Sequence, residues 1–99
     1  MSAYMIVLTK ALSTEGWEPY QSRVADCVAA HGGVYVVRRA TPEVLEGAFL
    51  KDRATVFRFP SMEAIRAFWT SEDYARRIRP LREGLGILDV WAVPGEDTI

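Results

Sequence analysis

Residues 3–9, Ala3-Tyr4-Met5-Ile6-Val7-Leu8-Thr9, are apolar on both sides of an extended chain: Tyr4, Ile6 and Leu8 alternate with Met5 and Val7. Three further segments repeat the pattern. Gly33 to Arg39 sets Val34 and Val36 against Tyr35 and Val37, and Ala54 to Phe59 sets Phe57 and Phe59 against Ala54 and Val56. Ile87 to Val93 sets Ile87, Trp91 and Val93 against Leu88, Val90 and Ala92. Side chains alternate faces along a strand, so a sheet with one wet face carries a polar alternate set. Here both sets are apolar, and both faces of the sheet must be covered. A chain of 99 residues supplies two helices, enough for one face. The other face is expected to meet a second copy of the chain.

The helices fall between the strands. Trp17, Tyr20, Val24, Cys27, Val28 and His31 recur at helical spacing. Pro19 fits only in a first turn, where its missing N–H is not needed, which predicts a start near Glu15 or Gly16. Gly32 and Gly33 end this helix, one of them in the left-handed conformation. Thr41-Pro42 and Lys51-Asp52 are turn signals flanking a shorter extended piece, Val44 to Phe49. Pro60-Ser61 opens the second helix with Ser61 as its cap, and Ile65, Phe68 and Trp69 form its buried stripe. Thr70-Ser71 interrupts that stripe. Ser71-Glu72-Asp73 reads as a fresh cap, predicting a bend or restart that carries Tyr74, Ile78 and Leu81 inward until Pro80 distorts the last turn. Gly84 and Gly86 turn the chain into the last strand.

Strand-helix-strand, repeated twice with right-handed crossovers, gives an α+β ferredoxin-like βαββαβ fold: a four-stranded antiparallel sheet with both helices on one face. A bare apolar face of that extent is rare on a soluble monomer, so pairing into a dimeric alpha-beta barrel is expected. Residues 1–99 are read as one such domain.

Composition narrows the function classes. The chain is 49% hydrophobic and 25% charged, with 12 basic against 13 acidic residues and a formal net charge of -1, so no nucleic-acid partner is indicated. The arginines at 66, 76, 77, 79 and 82 spread around their helix beside offsetting acids and read as a solvated face. Cys27 is the only cysteine, which fits a reducing cytoplasm and excludes an internal disulfide. Neither a signal peptide nor a membrane span is read. With one histidine and one stripe-facing cysteine, neither a metal site nor a bound cofactor is expected. Gly84-Leu85-Gly86 precedes a strand rather than a helix, the wrong setting for a dinucleotide loop.

Several residues together resemble one family. His31-Gly32-Gly33 stands ahead of a strand containing Arg38, followed by Glu46-Gly47. Phe59-Pro60-Ser61 opens a helix containing Ala67 and Trp69, and Ser71, Tyr74 and Leu81-Arg82 follow. This series is similar to the domain of unknown function 1330 family over nearly the whole chain. The resemblance implies the dimeric alpha-beta barrel group, whose relatives include cofactor-independent monooxygenases of antibiotic biosynthesis, muconolactone isomerase-like proteins and haem-degrading enzymes. It implies no particular reaction. Arg58 departs from the pattern, in which an acidic residue precedes the Phe-Pro.

Three groups are candidates for chemistry. His31 and Tyr74 are the candidate catalytic residues. An imidazole can act as a general base, but one in the last turn of a helix is equally suited to capping carbonyls, and His31 has no evident partner. Arg38 and Glu46 flank one connection and would form a pair that either binds a small anionic or carbonyl molecule or fixes the hairpin. Trp69, Tyr74 and Arg82 surround the helix break, where Trp69 fills core and the Tyr74 hydroxyl reaches a cleft between helix and sheet. Cys27 reads as inert core. The expected function is that of a homodimer binding a small molecule in a pocket between sheet and helices. The alternatives are a cofactor-independent enzyme, monooxygenase-like or isomerase-like, acting on a small carbonyl-bearing substrate, and a non-catalytic structural dimer.

Overall fold

Four predicted strands form, and three of them run past their expected ends. The computed structural model describes residues 2–97. Strands β1 (Ala3–Ala11), β2 (Val34–Ala40), β3 (Arg53–Phe59) and β4 (Gly86–Pro94) form one sheet in the order β2-β3-β1-β4, with every neighbouring pair antiparallel. Helices α1 (Glu18–Ala30) and α2 (Met62–Thr70) link them in ferredoxin-like βαββαβ fashion.

The register makes the two faces explicit. Met5 pairs with Phe57, and Val7 pairs with Thr55 and with Val90; with Ala3 and Phe59 these side chains meet the helices. Phe68 and Ile65 of α2 and Val24, Cys27 and Val28 of α1 complete a core in which Phe68 is fully buried. On the reverse face one row runs Val37-Val56-Ile6-Trp91 across the sheet, and the next runs Val34-Arg58-Tyr4-Val93. No helix covers it: Trp91 and Val34 are each 53% exposed.

The ends of α1 follow from local chemistry. The helix starts at Glu18 with Trp17 at the cap, two to three residues later than the expected Glu15 or Gly16. Gly16 sits at φ 89°, and the Trp17 ring N–H donates to the Ser13 carbonyl at 2.8 Å, so residues 13–17 are held in a turn. Pro19 remains in the first turn as required. At the other end Gly32 takes φ 83°, the left-handed cap. Gly33 is needed for a different reason: a Cβ there would stand 2.6 Å from Val28 Cγ1 and 2.9 Å from the Phe59 ring.

Ser71 breaks the second helical stretch. Its backbone is extended, at φ -60° and ψ 144°. Its hydroxyl donates to the Phe68 carbonyl at 2.7 Å and accepts the Tyr74 N–H at 3.2 Å, closing one helix and opening the next segment. That segment is π-helical from Asp73 to Ile78 and tightens into a 3-10 turn from Arg79 to Arg82. Tyr74 and Ile78 point inward, but Leu81 does not; it is 36% exposed. The 3.6-residue spacing behind its expected burial does not hold across a wide turn followed by a tight one.

Two other expectations fail. Val44 to Phe49 forms no strand: the chain bends at Leu45 to Gly47 and pairs with no neighbour, and Val44 and Leu45 are exposed with no layer to pack against. The alternation read for the second strand is also interrupted. Tyr35 pairs with Phe57 but Val37 with Val56, and Ala40 then pairs with Ala54. β2 therefore carries one extra residue at each irregularity, which is the definition of a bulge.

Candidate functional site

Between the helix-side face of the sheet and the helices lies a cavity of about 400 Å³, within the usual range of about 300–1,000 Å³ for small-molecule sites. Its sheet wall is Met5, Val7, Thr55, Phe57, Leu88 and Val90. Its helix wall is Trp17, Tyr20 and Val24 on one side and Phe68, Trp69 and Tyr74 on the other. The aromatic rings brace one another. Phe68 and Tyr74 have centroids 4.5 Å apart, Trp69 and Tyr74 5.4 Å, and Trp17 meets Tyr20 edge-on at 6.3 Å.

The π-helical turn places Tyr74, only 2% exposed, where its hydroxyl lies 3.1 Å from that of Tyr20. Wide turns of this kind are uncommon and recur at functional sites. Burial first, and then the neighbouring Tyr74 hydroxyl, push the Tyr20 phenol well above the ordinary tyrosine range. Two phenols hold two hydroxyl hydrogens. One is shared between the oxygens, and the other is free to donate elsewhere.

The open rim is formed by exposed lining residues, among them Thr14, Arg39 and Arg53. Arg39 is there because the two bulges in β2 offset each other. Val37 and Ala40 both pair onto the reverse face, and the extra residue between them returns Arg39 to the helix side. It sits at φ 45°, a left-handed conformation costly for a side chain with a Cβ. Its N–H donates to Thr55 Oγ1 at 3.0 Å. Arg53 is anchored by donation to Thr41 Oγ1 at 2.9 Å and to the Asp52 carbonyl at 3.0 Å.

The sequence candidates divide sharply around this chamber. Tyr74 and Trp69 line it. Arg82 does not: it lines an adjoining cleft that shares Trp69, Leu88 and Val90 with the chamber, and its guanidinium carbon lies 5.7 Å from the centre of the Tyr20 ring. His31 is outside, with Nδ1 2.9 Å from the Cys27 carbonyl and its ring edge-on to Phe68 at 5.9 Å. Arg38 and Glu46 are not brought together. Both are exposed, no ion pair joins them among the described residues, and Arg38 instead lies flat on Tyr35 at 3.9 Å from the ring centre. Cys27 is buried in the core, where burial pushes its thiol above the ordinary cysteine range.

Tyr20, Arg39, Arg53 and Thr55 were not among the candidates. Tyr20 belongs to the apolar stripe of the first helix, and only the fold shows that its hydroxyl meets another. Arg39 had a legible signal. Two adjacent arginines in a regular strand face opposite ways, so the pair Arg38-Arg39 points to one of them on the helix side. Among the described residues no three His, Cys, Asp or Glu side chains converge as metal ligands, and no helix is long and apolar enough to cross a membrane.

Comparison with known proteins agrees with this architecture. The crystal structure of RPA0582, a protein of unknown function from Rhodopseudomonas palustris, superposes with a TM-score of 0.71 at 16% identity, over 97% of this chain and 84% of that one. SnoaB, a cofactor-independent oxygenase from Streptomyces nogalater, superposes with a TM-score of 0.64 at 14% identity, over 99% of this chain and 96% of that one. These likenesses establish the fold. No curated protein sequence matches. Domain of unknown function (DUF1330) matches residues 2–96, and the chain belongs to that family.

Proposed function

We propose that the chain works in the cytoplasm as a homodimer that binds a small, largely apolar molecule in the chamber of each subunit. The observation that carries this reading is the chamber itself: a space of about 400 Å³ walled by seven aromatic residues and aliphatic side chains, among them the hydrogen-bonded Tyr20 and Tyr74. A cavity of this shape with few, convergent polar groups is the usual form of a ligand site. The dimer rests on the reverse face, where Val34, Val36, Ile87 and Trp91 are exposed on the sheet; a patch of this kind marks an interaction surface. In this reading His31 caps α1, while Arg38 and Glu46 are surface residues.

Calorimetric titration with methyl 2-naphthoate, a neutral aromatic ester, tests the chamber. Binding by the wild type, lost in a Val90→Phe variant that fills the sheet wall but keeps its melting transition, supports the reading. Wild type and variant binding alike overturns it, as does failure of the wild type to bind both the ester and its parent carboxylate at millimolar concentration, and either outcome leaves a non-catalytic structural dimer.

The Tyr20–Tyr74 pair favours a second reading, that of a cofactor-independent enzyme acting on a carbonyl-bearing substrate. The free phenol hydrogen would donate to the carbonyl oxygen as negative charge develops there. SnoaB, of similar fold, is named as an oxygenase of this cofactor-free kind. Oxygen uptake with aromatic ketones, abolished in Tyr74→Phe without loss of binding, would select this reading over simple binding.

A further inference from the structure

The charge of the chamber lining is one-sided. Arg39 and Arg53 are its only ionised side chains, and no aspartate or glutamate lines it, in a chain whose acids outnumber its bases 13 to 12. Neither arginine joins an ion pair among the described residues. Arg66 and Arg77, by contrast, are partnered on the outer surface, with Glu63 and with Glu72 and Asp73.

The backbone that carries Arg39 is irregular. The irregularity between Val37 and Ala40 offsets the one between Tyr35 and Val37, so residue 39 shares the chamber face with Tyr35. It sits there with a positive φ at a non-glycine position. Bulges commonly re-aim a side chain beside a site, and backbone strain of this sort persists where the surroundings hold it in place. The Thr55 hydroxyl does so here, accepting the Arg39 N–H while itself being part of the chamber wall. Arg53, on the neighbouring strand, is steadied by two hydrogen bonds of its own guanidinium.

Resting on the chamber reading above, we propose that its ligand is an amphipathic anion: an apolar, ring-bearing body between the aromatic walls and a carboxylate, or another planar oxyanion, held at the rim by Arg39 and Arg53. A guanidinium matches such a group with two parallel donors. The Tyr20–Tyr74 pair at the aromatic end offers its single free hydrogen to an oxygen on the body of the same molecule. The chamber thus reads a ligand at both ends, by charge at the rim and by one neutral hydrogen bond within.

Parallel titrations of 2-naphthoate and methyl 2-naphthoate test this, since the two differ chiefly in charge. The wild type is expected to bind the anion about tenfold more tightly, a preference of about 1.4 kcal/mol. Arg39→Gln/Arg53→Gln is expected to abolish the preference by weakening the anion about tenfold more than the ester, and Arg39→Lys/Arg53→Lys to keep part of it. Both positions are exposed, so folding is not at stake. As a second measurement on the unaltered protein, raising salt from 20 mM to 0.5 M should shrink the preference. If the ester binds but the anion binds no better, or if the preference survives both charge removals, the anion proposal is wrong and the chamber reading stands. If neither compound binds, both readings fall.

Discussion

The two faces of this sheet are built from the same residue types and have different fates. On the helix side, Phe57, Phe59, Phe68 and Tyr74 are all at most 4% exposed, yet they leave a cavity among them. On the reverse side, Ile87, Trp91 and Val34 are each more than half exposed, with no helix packed over them. Apolar residues on one face have been packed by the chain itself, leaving a ligand-sized gap. Those on the other stay exposed. The lesson is that hydrophobicity alone does not mark a binding site; what marks the chamber is incomplete filling combined with a few placed polar groups.

If the faces differ in this way, their mutations should differ in kind. The largest effect is expected from Phe68→Ala on the packed face, a loss of about 3–5 kcal/mol for truncating a fully buried aromatic. That loss should not depend on protein concentration when followed by urea unfolding. Trp91→Ala on the reverse face should cost about 2–4 kcal/mol of dimerisation energy, read by sedimentation equilibrium. Its melting temperature should converge with that of the wild type as both are diluted. A Trp91→Ala protein with unchanged association would remove the reverse face as an interface.

Smaller effects sharpen the packed side. Gly32→Val places a branched side chain at φ 83° and should cost about 1–2 kcal/mol. Gly33→Val should cost a comparable or larger amount of about 1–3 kcal/mol through overpacking against Val28 and Phe59. Comparing Ala with Val at each position separates the two causes. Gly32 should penalise both residues, whereas Gly33 should penalise valine progressively more.

The smallest effect is the pH response of Tyr20. Its folded phenol is held protonated by burial and by Tyr74, above the ordinary value of 10.0 that the unfolded chain adopts. The unfolded state therefore releases its proton first. The stability this contributes is present in full below pH 10 and is lost as pH rises above it. Urea midpoints measured from pH 8 to pH 11 should fall at the alkaline end for the wild type, and Tyr20→Phe should flatten that fall.

Much of this was readable from residues alone. The doubly apolar strands give the sheet, Gly32-Gly33 the tight passage from α1 to β2, and Ser71 the break, because each rests on local chemistry acting over a few residues. What escaped depended on register or on partners distant in sequence. A hairpin return was expected to bring Arg38 and Glu46 together, whereas the bulge before Ala40 and a bent loop separate them. Leu81 was assigned inward by a helical period that the π and 3-10 turns do not keep. Tyr74 and Trp69 were found because they flank a visible break. Tyr20 was missed because a hydroxyl 54 positions away gives it its meaning.

The chain's three tryptophans report on both faces at once: Trp17 and Trp69 line the chamber, and Trp91 lies on the reverse face. Fluorine NMR of protein labelled with 5-fluorotryptophan, its resonances assigned by single Trp→Phe variants, therefore separates ligand binding from association in one sample. Adding 2-naphthoate should shift the Trp17 and Trp69 resonances and leave Trp91 in place, while dilution through the dimer range should shift Trp91 alone. A ligand that moves Trp91 and spares Trp17 and Trp69, or a dilution series in which Trp91 never moves, would contradict the division of labour between the two faces.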